Sequence, residues 1–557
     1  MLSTAMLLML QPALGLHLSQ APRFASGAAR CTGPLCQAVM DKPGTSSITP
    51  SDTISNEEPL HVLIAGAGVG GLILANTLEL SGKPVTYTIL ERTKEFRKFG
   101  GPIQLASNAM QAIRSVDETL YSEIEERATW TGNRTNGIKD GIRDEWYAKF
   151  DLESPAKTRD MPFTCVVERP ELQEILMRRT NDNIRLGAGV ESYSELPNGR
   201  VSAKLMDGSS VEGDILIGAD GIWSNVRASM TNTPARGDES GVTYSGYTVF
   251  AGELNYNKES TPSDIGPDPA CGYKVYIGPQ QYFVITDIGR GRYQWYAFLA
   301  RPADSEASEP KPEGSSKYLR DLFVGWSPEI EDILLATRED EIEQRDLYDR
   351  PPSVIKPWTK GNVALLGDAI HAMMPNLGQG GCQALEDALT IAEEVTQVTS
   401  RKELAGALEH YRNRRLVRSA AVQGLSRFAS DIIIRGFDTP CKVGFYDGKF
   451  IAENVNYAGV VTRLLQPILP VFFAIQFAFL YDGWRNRFSL EQVYIGGAIA
   501  AFGLLLLAAF AATAGAEVAF LGAGTEALLG FEGLEAISAF FAEQQASIQS
   551  FLQSLGL

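Results

Sequence analysis

His61-Val62-Leu63-Ile64-Ala65-Gly66-Ala67-Gly68-Val69-Gly70-Gly71 is the stretch that decides the fold. Its first five residues form a short apolar block, and Leu72 to Leu80 repeats apolar residues three and four apart, as a helix does. Strand, glycine turn and helix together form the context in which a GxGxxG match carries meaning. Gly66 permits the tight turn, Gly68 lets the backbone approach a pyrophosphate, and Gly71 lets helix and strand pack closely. The helix N-terminus offers unpaired N–H groups and a partial positive charge to the phosphates. A second strand, Val85 to Leu90, runs into Glu91 and Arg92, the candidate contacts at the adenosine end. An acid at the end of that strand accepts hydrogen bonds from a ribose 2′-OH. NAD would satisfy this segment as well as FAD.

Two further segments favour FAD. Asp214-Ile215-Leu216-Ile217-Gly218-Ala219-Asp220-Gly221 is a buried-strand pattern ending in a turn, with Ser224 and Arg227 opening a helix. Alone it would be an ordinary strand-to-turn signal. Val363-Ala364-Leu365-Leu366-Gly367-Asp368 is again an apolar strand stopped by Gly-Asp. It continues through His371 and Pro375 to Gly378-Gln379-Gly380-Gly381 and a helix from about Cys382 to Val395. Asp368 is placed to reach a ribityl chain, while the N–H groups of Gly378 to Gly381 and a helix N-terminus face an anion. The N1/C2=O edge of a reduced flavin is such an anion. His371 is expected to pack beneath the cofactor rather than act as a base, and Cys382 to be a small buried hydrophobe.

In this order and spacing the three segments resemble the single-component flavoprotein monooxygenases, the aromatic-hydroxylase-like family. The resemblance is nearer to its carotenoid-epoxidising plastid branch over residues about 60 to 430. It is carried by Gly101-Pro102-Ile103-Gln104 with Ser107-Asn108-Ala109, Thr131-Gly132-Asn133-Arg134, Trp146-Tyr147, Tyr244-Ser245-Gly246-Tyr247, Gln294-Trp295-Tyr296-Ala297-Phe298 and Arg345-Asp346-Leu347-Tyr348-Asp349-Arg350. The family motif also implies Arg169 as a flavin contact. The resemblance implies that reduced FAD takes up O2 as a C4a-hydroperoxide and passes one oxygen to a ring double bond of a lipid-soluble carotenoid. NADPH or reduced ferredoxin would supply the electrons. Such chemistry needs no catalytic side chain and no metal. The chain has four histidines, and neither a Gly-x-Ser-x-Gly nor a His/Cys metal cluster is visible in the sequence.

The expected fold class is α/β: a Rossmann-like FAD-binding domain with an inserted mixed-sheet substrate domain, followed by C-terminal helices that include a transmembrane helix. Tyr273 to Ile277, Tyr282 to Ile285 and Tyr293 to Phe298 read as strands of the inserted sheet, with a hairpin turn at Gly289-Arg290-Gly291. The predicted layout is a leader over 1–45, a linker over 46–59 and the monooxygenase over 60–430, with its sheet at about 241–345. A partly interfacial helical region over 431–490 and a membrane helix with an acidic tail over 491–557 complete it.

At 557 residues and 44 % hydrophobic, the chain can bury a large core. A net charge of −17 without a basic stripe argues against nucleic-acid binding. Ala5 to Leu16 resembles a signal-peptide core, and the acid-free stretch after it, with Arg23 and Arg30, has transit-peptide composition. That order suits an algal plastid with extra envelope membranes. Gln492 to Ala516 carries no charge, enough length to cross a hydrocarbon core of about 30 Å. Arg485 and Arg487 precede it and no Lys or Arg follows, which places the catalytic body on the stromal side of a thylakoid or envelope membrane. Ferredoxin would then be an accessible partner. The competing readings are a membrane-associated flavin monooxygenase of another isoprenoid, a hydroxylase of small aromatic acids, and a non-catalytic flavin- or pigment-binding protein.

Overall fold

A computed structural model describes residues 52–96, 101–256, 270–278, 280–303, 313–435, 444–446, 449–451, 476–477 and 479–481. The leader and the Gln492–Ala516 stretch lie outside these residues. Among the described residues no helix is long and apolar enough to cross a membrane.

The glycine turn follows the strand Leu60–Ala65, which sits inside a six-stranded sheet. Its order is Thr359–Lys360, Val363–Leu365, Ile215–Gly218, Leu60–Ala65, Val85–Glu91, Ile184–Leu186. All pairings are parallel except that of Thr359–Lys360 with its neighbour. Helices cover both faces of such a sheet, so its central strands read as unbroken apolar runs. Accordingly Leu60, Val62, Leu63 and Ile64 are fully buried. Register matters more than composition here: Ala65 pairs with Gly218, and Gly218 with Leu365. The three glycine-bearing segments therefore leave the same edge of the sheet, at the carboxyl ends of adjacent parallel strands, where α/β sheets bind ligands.

The second sheet has seven strands in the order Ile342–Asp349, Thr243–Asn255, Arg292–Ala300, Gln281–Gly289, Cys271–Gly278, Thr135–Asp140, Trp146–Phe150. Cys271–Gly278 pairs parallel with Thr135–Asp140 and the other pairings are antiparallel, so the sheet is mixed. Its far edge comes from residues 135–150, outside the 241–345 stretch where the sheet was expected. Gly289 and Gly291 flank the expected hairpin, with Arg290 in left-handed conformation at φ 53°. One face buries Trp295 against Phe283, their rings 5.4 Å apart, with the indole N–H donating to Thr337 Oγ1. A Cβ on Gly252 would come within 2.4 Å of that indole, so the glycine makes room for the ring. The other face carries Tyr247, Tyr282 and Phe298.

The long helix Leu404–Arg435 packs on Gly380–Gln397 and returns to the first sheet, where the Tyr411 hydroxyl donates to the Leu365 carbonyl at 2.8 Å. Part of the stretch expected as a linker is also tied down: Arg401 donates to the carbonyls of Thr53, Glu58 and Pro59.

Helix and strand meet most tightly at Gly71, where a Cβ would lie 2.1 Å from the Gly66 carbonyl oxygen. Gly71→Ala should destabilise the protein by roughly 1–3 kcal/mol, the usual cost of overpacking. Denaturant unfolding with FAD present and absent checks this, and an unchanged midpoint would contradict the packing assigned to Gly71.

Candidate active site

The first segment forms its turn with Gly66 at φ 104°, a conformation that favours glycine, and a Cβ there would also collide with the Ala219 carbonyl. Gly68 precedes the helix Val69–Leu80, and no atom lies within 4 Å of where its Cβ would be. That open space, next to a helix N-terminus, is the approach path a pyrophosphate needs. Glu91 braces the turn: one carboxylate oxygen accepts from the Ala67 N–H at 2.8 Å and the other from Thr93 N–H at 2.7 Å. Both oxygens keep lone pairs for a ribose hydroxyl. Arg92 is exposed, with its side-chain stem against Gly189.

In the second segment Asp220 Oδ2 accepts from the N–H groups of Asn225 and Val226, which start the helix Asn225–Thr231. Its Oδ1 is buried without a partner. Burial raises the Asp220 pKa, against the hydrogen bonds that lower it. Gly221, at φ 77°, has open space where a side chain would be. An orphaned acceptor beside open glycine backbone is a ligand-facing arrangement.

The third segment turns at Gly367, φ 61°, into the short helix Asp368–His371. Asp368 keeps accessible surface yet is closely surrounded. Loss of solvation pushes its pKa above the ordinary carboxylate value, while His371 and Arg169 pull it part of the way back. Arg169, at the start of the helix Arg169–Thr180, has the same character: desolvation lowers its pKa, with Asp368 opposing and Arg345 assisting. Arg169 and Asp368 thus attract each other electrostatically, and the Tyr296 phenol of the second sheet lies within reach of the Arg169 charge. Pro375 starts the turn Pro375–Leu377, and Gly378 follows it in left-handed conformation at φ 59°, where a Cβ would strike the Gln104 side chain. Gln379 is buried, and Gly380 and Gly381 open the helix Gly380–Gln397.

Beneath this loop lies a group of residues that sequence reading missed. Glu386 and Asp387 are fully buried on the Gly380–Gln397 helix. Arg415 Nε donates to Asp387 Oδ1 at 2.7 Å, and a second Arg415 nitrogen bonds Glu386. Arg418 grips both oxygens of Glu386, each at 2.7 Å. Asp387 Oδ2 accepts from the Gly367 N–H at 3.0 Å and bonds His371 Nε2 at 2.6 Å. Burial works against the ionised form of both acids, but for Asp387 His371 and Arg415, and for Glu386 the two arginines, outweigh it and hold each pKa low. Asn108 links Glu386 to Gln379 through its amide nitrogen. His371 is buried and held by Asp387. Cys382 is fully buried, its thiol pushed up to about 12 by burial. No sequence signal singles the cluster out, because the same helix carries a second adjacent acid pair, Glu393 and Glu394, and the next helix also carries Arg412 and Arg414.

Residues 59–426 match the model of the FAD binding domain family, and the chain belongs to that family. Its relatives include the chloroplastic zeaxanthin epoxidases of rice, 40 % identical over 66 % of this chain and 55 % of the relative, and of Arabidopsis thaliana, 39 % identical over 65 % and 53 %. The chain spans about half the length of these curated relatives. Among solved structures, Klebsiella pneumoniae HpxO complexed with FAD and uric acid superposes with a TM-score of 0.57 at 25 % identity, over 67 % of this chain and 88 % of that one. A salicylate hydroxylase substrate complex gives 0.58 at 19 % identity, over 78 % and 100 %, and shares the fold.

The cofactor implied is FAD, and the residues fit it: open backbone at Gly68 and Gly221, an unpartnered Asp220 oxygen, and the opposite charges of Arg169 and Asp368. A raised carboxylate pKa costs stability at pH values above its unfolded pKa of about 3.9, because the unfolded chain releases the proton first. Asp368→Asn should therefore raise the melting temperature of the FAD-free protein at pH 7, with the gain vanishing below about pH 4. Asp368→Ala should weaken FAD binding about tenfold or more, whereas His371→Ala should weaken it less. Thermal scans of the apoprotein and flavin fluorescence titration measure these effects, and a reversed ranking would overturn the two roles.

Proposed function

We propose that this chain is an FAD-dependent monooxygenase that epoxidises a ring double bond of a cyclic carotenoid, with zeaxanthin the leading candidate. The observation that carries the reading is the likeness, at 37–40 % identity, to relatives named zeaxanthin epoxidase. Bound and reduced, FAD would supply the activated oxygen. The overall balance is alkene plus O2, two electrons and two protons giving epoxide and water, with NADPH or reduced ferredoxin as the electron source.

The chain's own residues have three tasks in this reading. Gly66, Gly68, Gly71, Glu91, Arg92, Asp220 and Gly221 hold the dinucleotide. Arg169, Gly367 and Asp368 orient the ribityl and ring portion, and Pro375 shapes the loop. The N–H groups from Gly378 through Gln379 and Gly380 to Gly381, with the N-terminus of Gly380–Gln397, stabilise negative charge on the reduced ring. The aromatic face of Tyr247, Tyr282 and Phe298, packed with Met374 of the cofactor loop, excludes water and aligns an apolar ring. Tyr282 also fixes the loop by donating to Asn376 Oδ1 at 3.1 Å.

A carotenoid substrate places the protein in a plastid, which agrees with the chloroplastic relatives. Residues 60–430 would be the catalytic unit, 431–490 membrane-interfacial, and 491–557 a membrane helix with an acidic tail, the catalytic unit facing the stroma.

Purified protein loaded with FAD and supplied with reductant, zeaxanthin in lipid and isotopically labelled O2 should yield a product with labelled oxygen, read by mass spectrometry. Turnover of a sterol precursor or a small phenol, with zeaxanthin unchanged, would replace the carotenoid assignment.

A further inference from the structure

One hairpin of the second sheet is fastened to the cofactor side of the fold. The turn Gly289-Arg290-Gly291 joins the strands Gln281–Gly289 and Arg292–Ala300. Gly289 packs so closely on Thr129 that a Cβ would lie 2.2 Å from the threonine hydroxyl oxygen. That hydroxyl donates to the Ile288 carbonyl at 2.9 Å. Thr129 in turn pairs with Val166 of the short strand Cys165–Val167, and the chain runs from that strand straight into Glu168 and Arg169. The hairpin is therefore docked beside the arginine assigned above to the ring and ribityl portion of FAD.

Two arginines of the hairpin close this joint on either side of Arg169. Arg292 Nη2 donates to Glu168 Oε1, immediately before Arg169, and its Nη1 reaches Glu253 at 3.0 Å. Arg290 donates to Glu171 at 2.6 Å, two residues after Arg169, and Arg127 donates to the same oxygen at 3.1 Å. The Glu168 carbonyl accepts from the Leu172 N–H at 2.9 Å, so its backbone starts the helix Arg169–Thr180 while its side chain is drawn to the second sheet. Fully exposed ion pairs contribute little. Here the Glu168 side chain is 25 % exposed and that of Arg292 18 %, and desolvation lowers the Arg292 pKa. Tyr296 lies four residues along the same strand, on the same face as Arg292, and its phenol is within reach of the Arg169 charge. A single strand thus meets Arg169 twice, at its chain neighbour and at its guanidinium.

We propose that Arg292 and Glu168 form a clasp that positions Arg169 for FAD, so that the second sheet sets the geometry of a cofactor contact. The proposal rests on the FAD-dependent reading above. Arg292 and Glu168 are positioning residues and act through Arg169. The strand that carries Tyr296 and Phe298 on the substrate side is then also the strand that holds a cofactor contact in place.

The test is a double-mutant cycle on the full chain, with the FAD dissociation constant read by flavin fluorescence titration. Arg292→Gln should raise that constant about fivefold when Arg169 is present, and by less than about twofold when Arg169→Gln has already been made. Arg292→Lys, which keeps the charge, should raise it less than Arg292→Gln does. An unchanged constant in Arg292→Gln, or an equal rise in both backgrounds, would overturn the clasp, because a merely structural role is independent of Arg169. If Arg292→Gln does not fold, Glu168→Gln takes its place with the same expectations and the same overturning results. Should the unaltered protein bind no FAD, the cofactor reading fails and melting of the apoprotein decides about the clasp. The drop in melting temperature caused by Arg292→Gln must then shrink by about half or more in the Arg169→Gln background, and equal drops reject the clasp.

Discussion

Two carboxylates and two guanidinium groups, Glu386, Asp387, Arg415 and Arg418, lie together in the interior with exposures of 2 % or less. Taking isolated charges out of water is costly, and a buried pair repays the cost only when its remaining hydrogen-bonding capacity is filled. Here it is filled. Glu386 accepts from Arg415, Arg418 and Asn108, and Asp387 from Arg415 and the Gly367 backbone while bonding His371. The surplus bonds reach outward to fix the turn before Asp368, the loop at Gln379 and the carbonyls of Phe479 and Leu480. Losing one member would strand a partner charge, typically at about 3–5 kcal/mol. Both the cofactor loop and the C-terminal contact would lose their support with it.

The contrast between this cluster and the site above it shows where binding energy is held in reserve. In the cluster nearly every polar atom is paired. At the site Asp220 Oδ1 is unpaired, and Asp368 is desolvated with its pKa raised. Such groups weaken the empty protein and are satisfied when a polar ligand arrives. Rigid support below and unmet polar capacity above is how a dinucleotide can be gripped without rearranging the fold.

The cofactor shelf was legible in the sequence because its requirements act on the backbone. Gly66 needs a positive φ, Gly71 needs close contact, and the strands before each turn are buried on both faces, so residue type follows from geometry. The charge cluster was not legible. Acids and arginines are mostly exposed, so Glu386, Asp387, Arg415 and Arg418 read by type as solvated helix surface. Only the crossing of two helices far apart in sequence pairs them. The Thr135–Asp140 strand escaped for a related reason. It joins the second sheet through a parallel pairing with Cys271–Gly278, and local pattern carries no trace of a partner so distant.

The division of the molecule into two sheets also divides its tasks. The parallel sheet and its glycine edge belong to a fold shared with proteins as different as a salicylate hydroxylase at 19 % identity, so that edge cannot by itself select a substrate. The aromatic face of the mixed sheet and the side chains of Phe477, Leu480 and Tyr481 approach Met373 to Leu377 from two sides. Tyr282 bonded to Asn376 on one side of the loop, and Arg418 bonded to Leu480 on the other, make the loop the point where both surfaces meet. Changes in substrate preference should therefore map to that loop's neighbours before they map to the glycines that hold the dinucleotide.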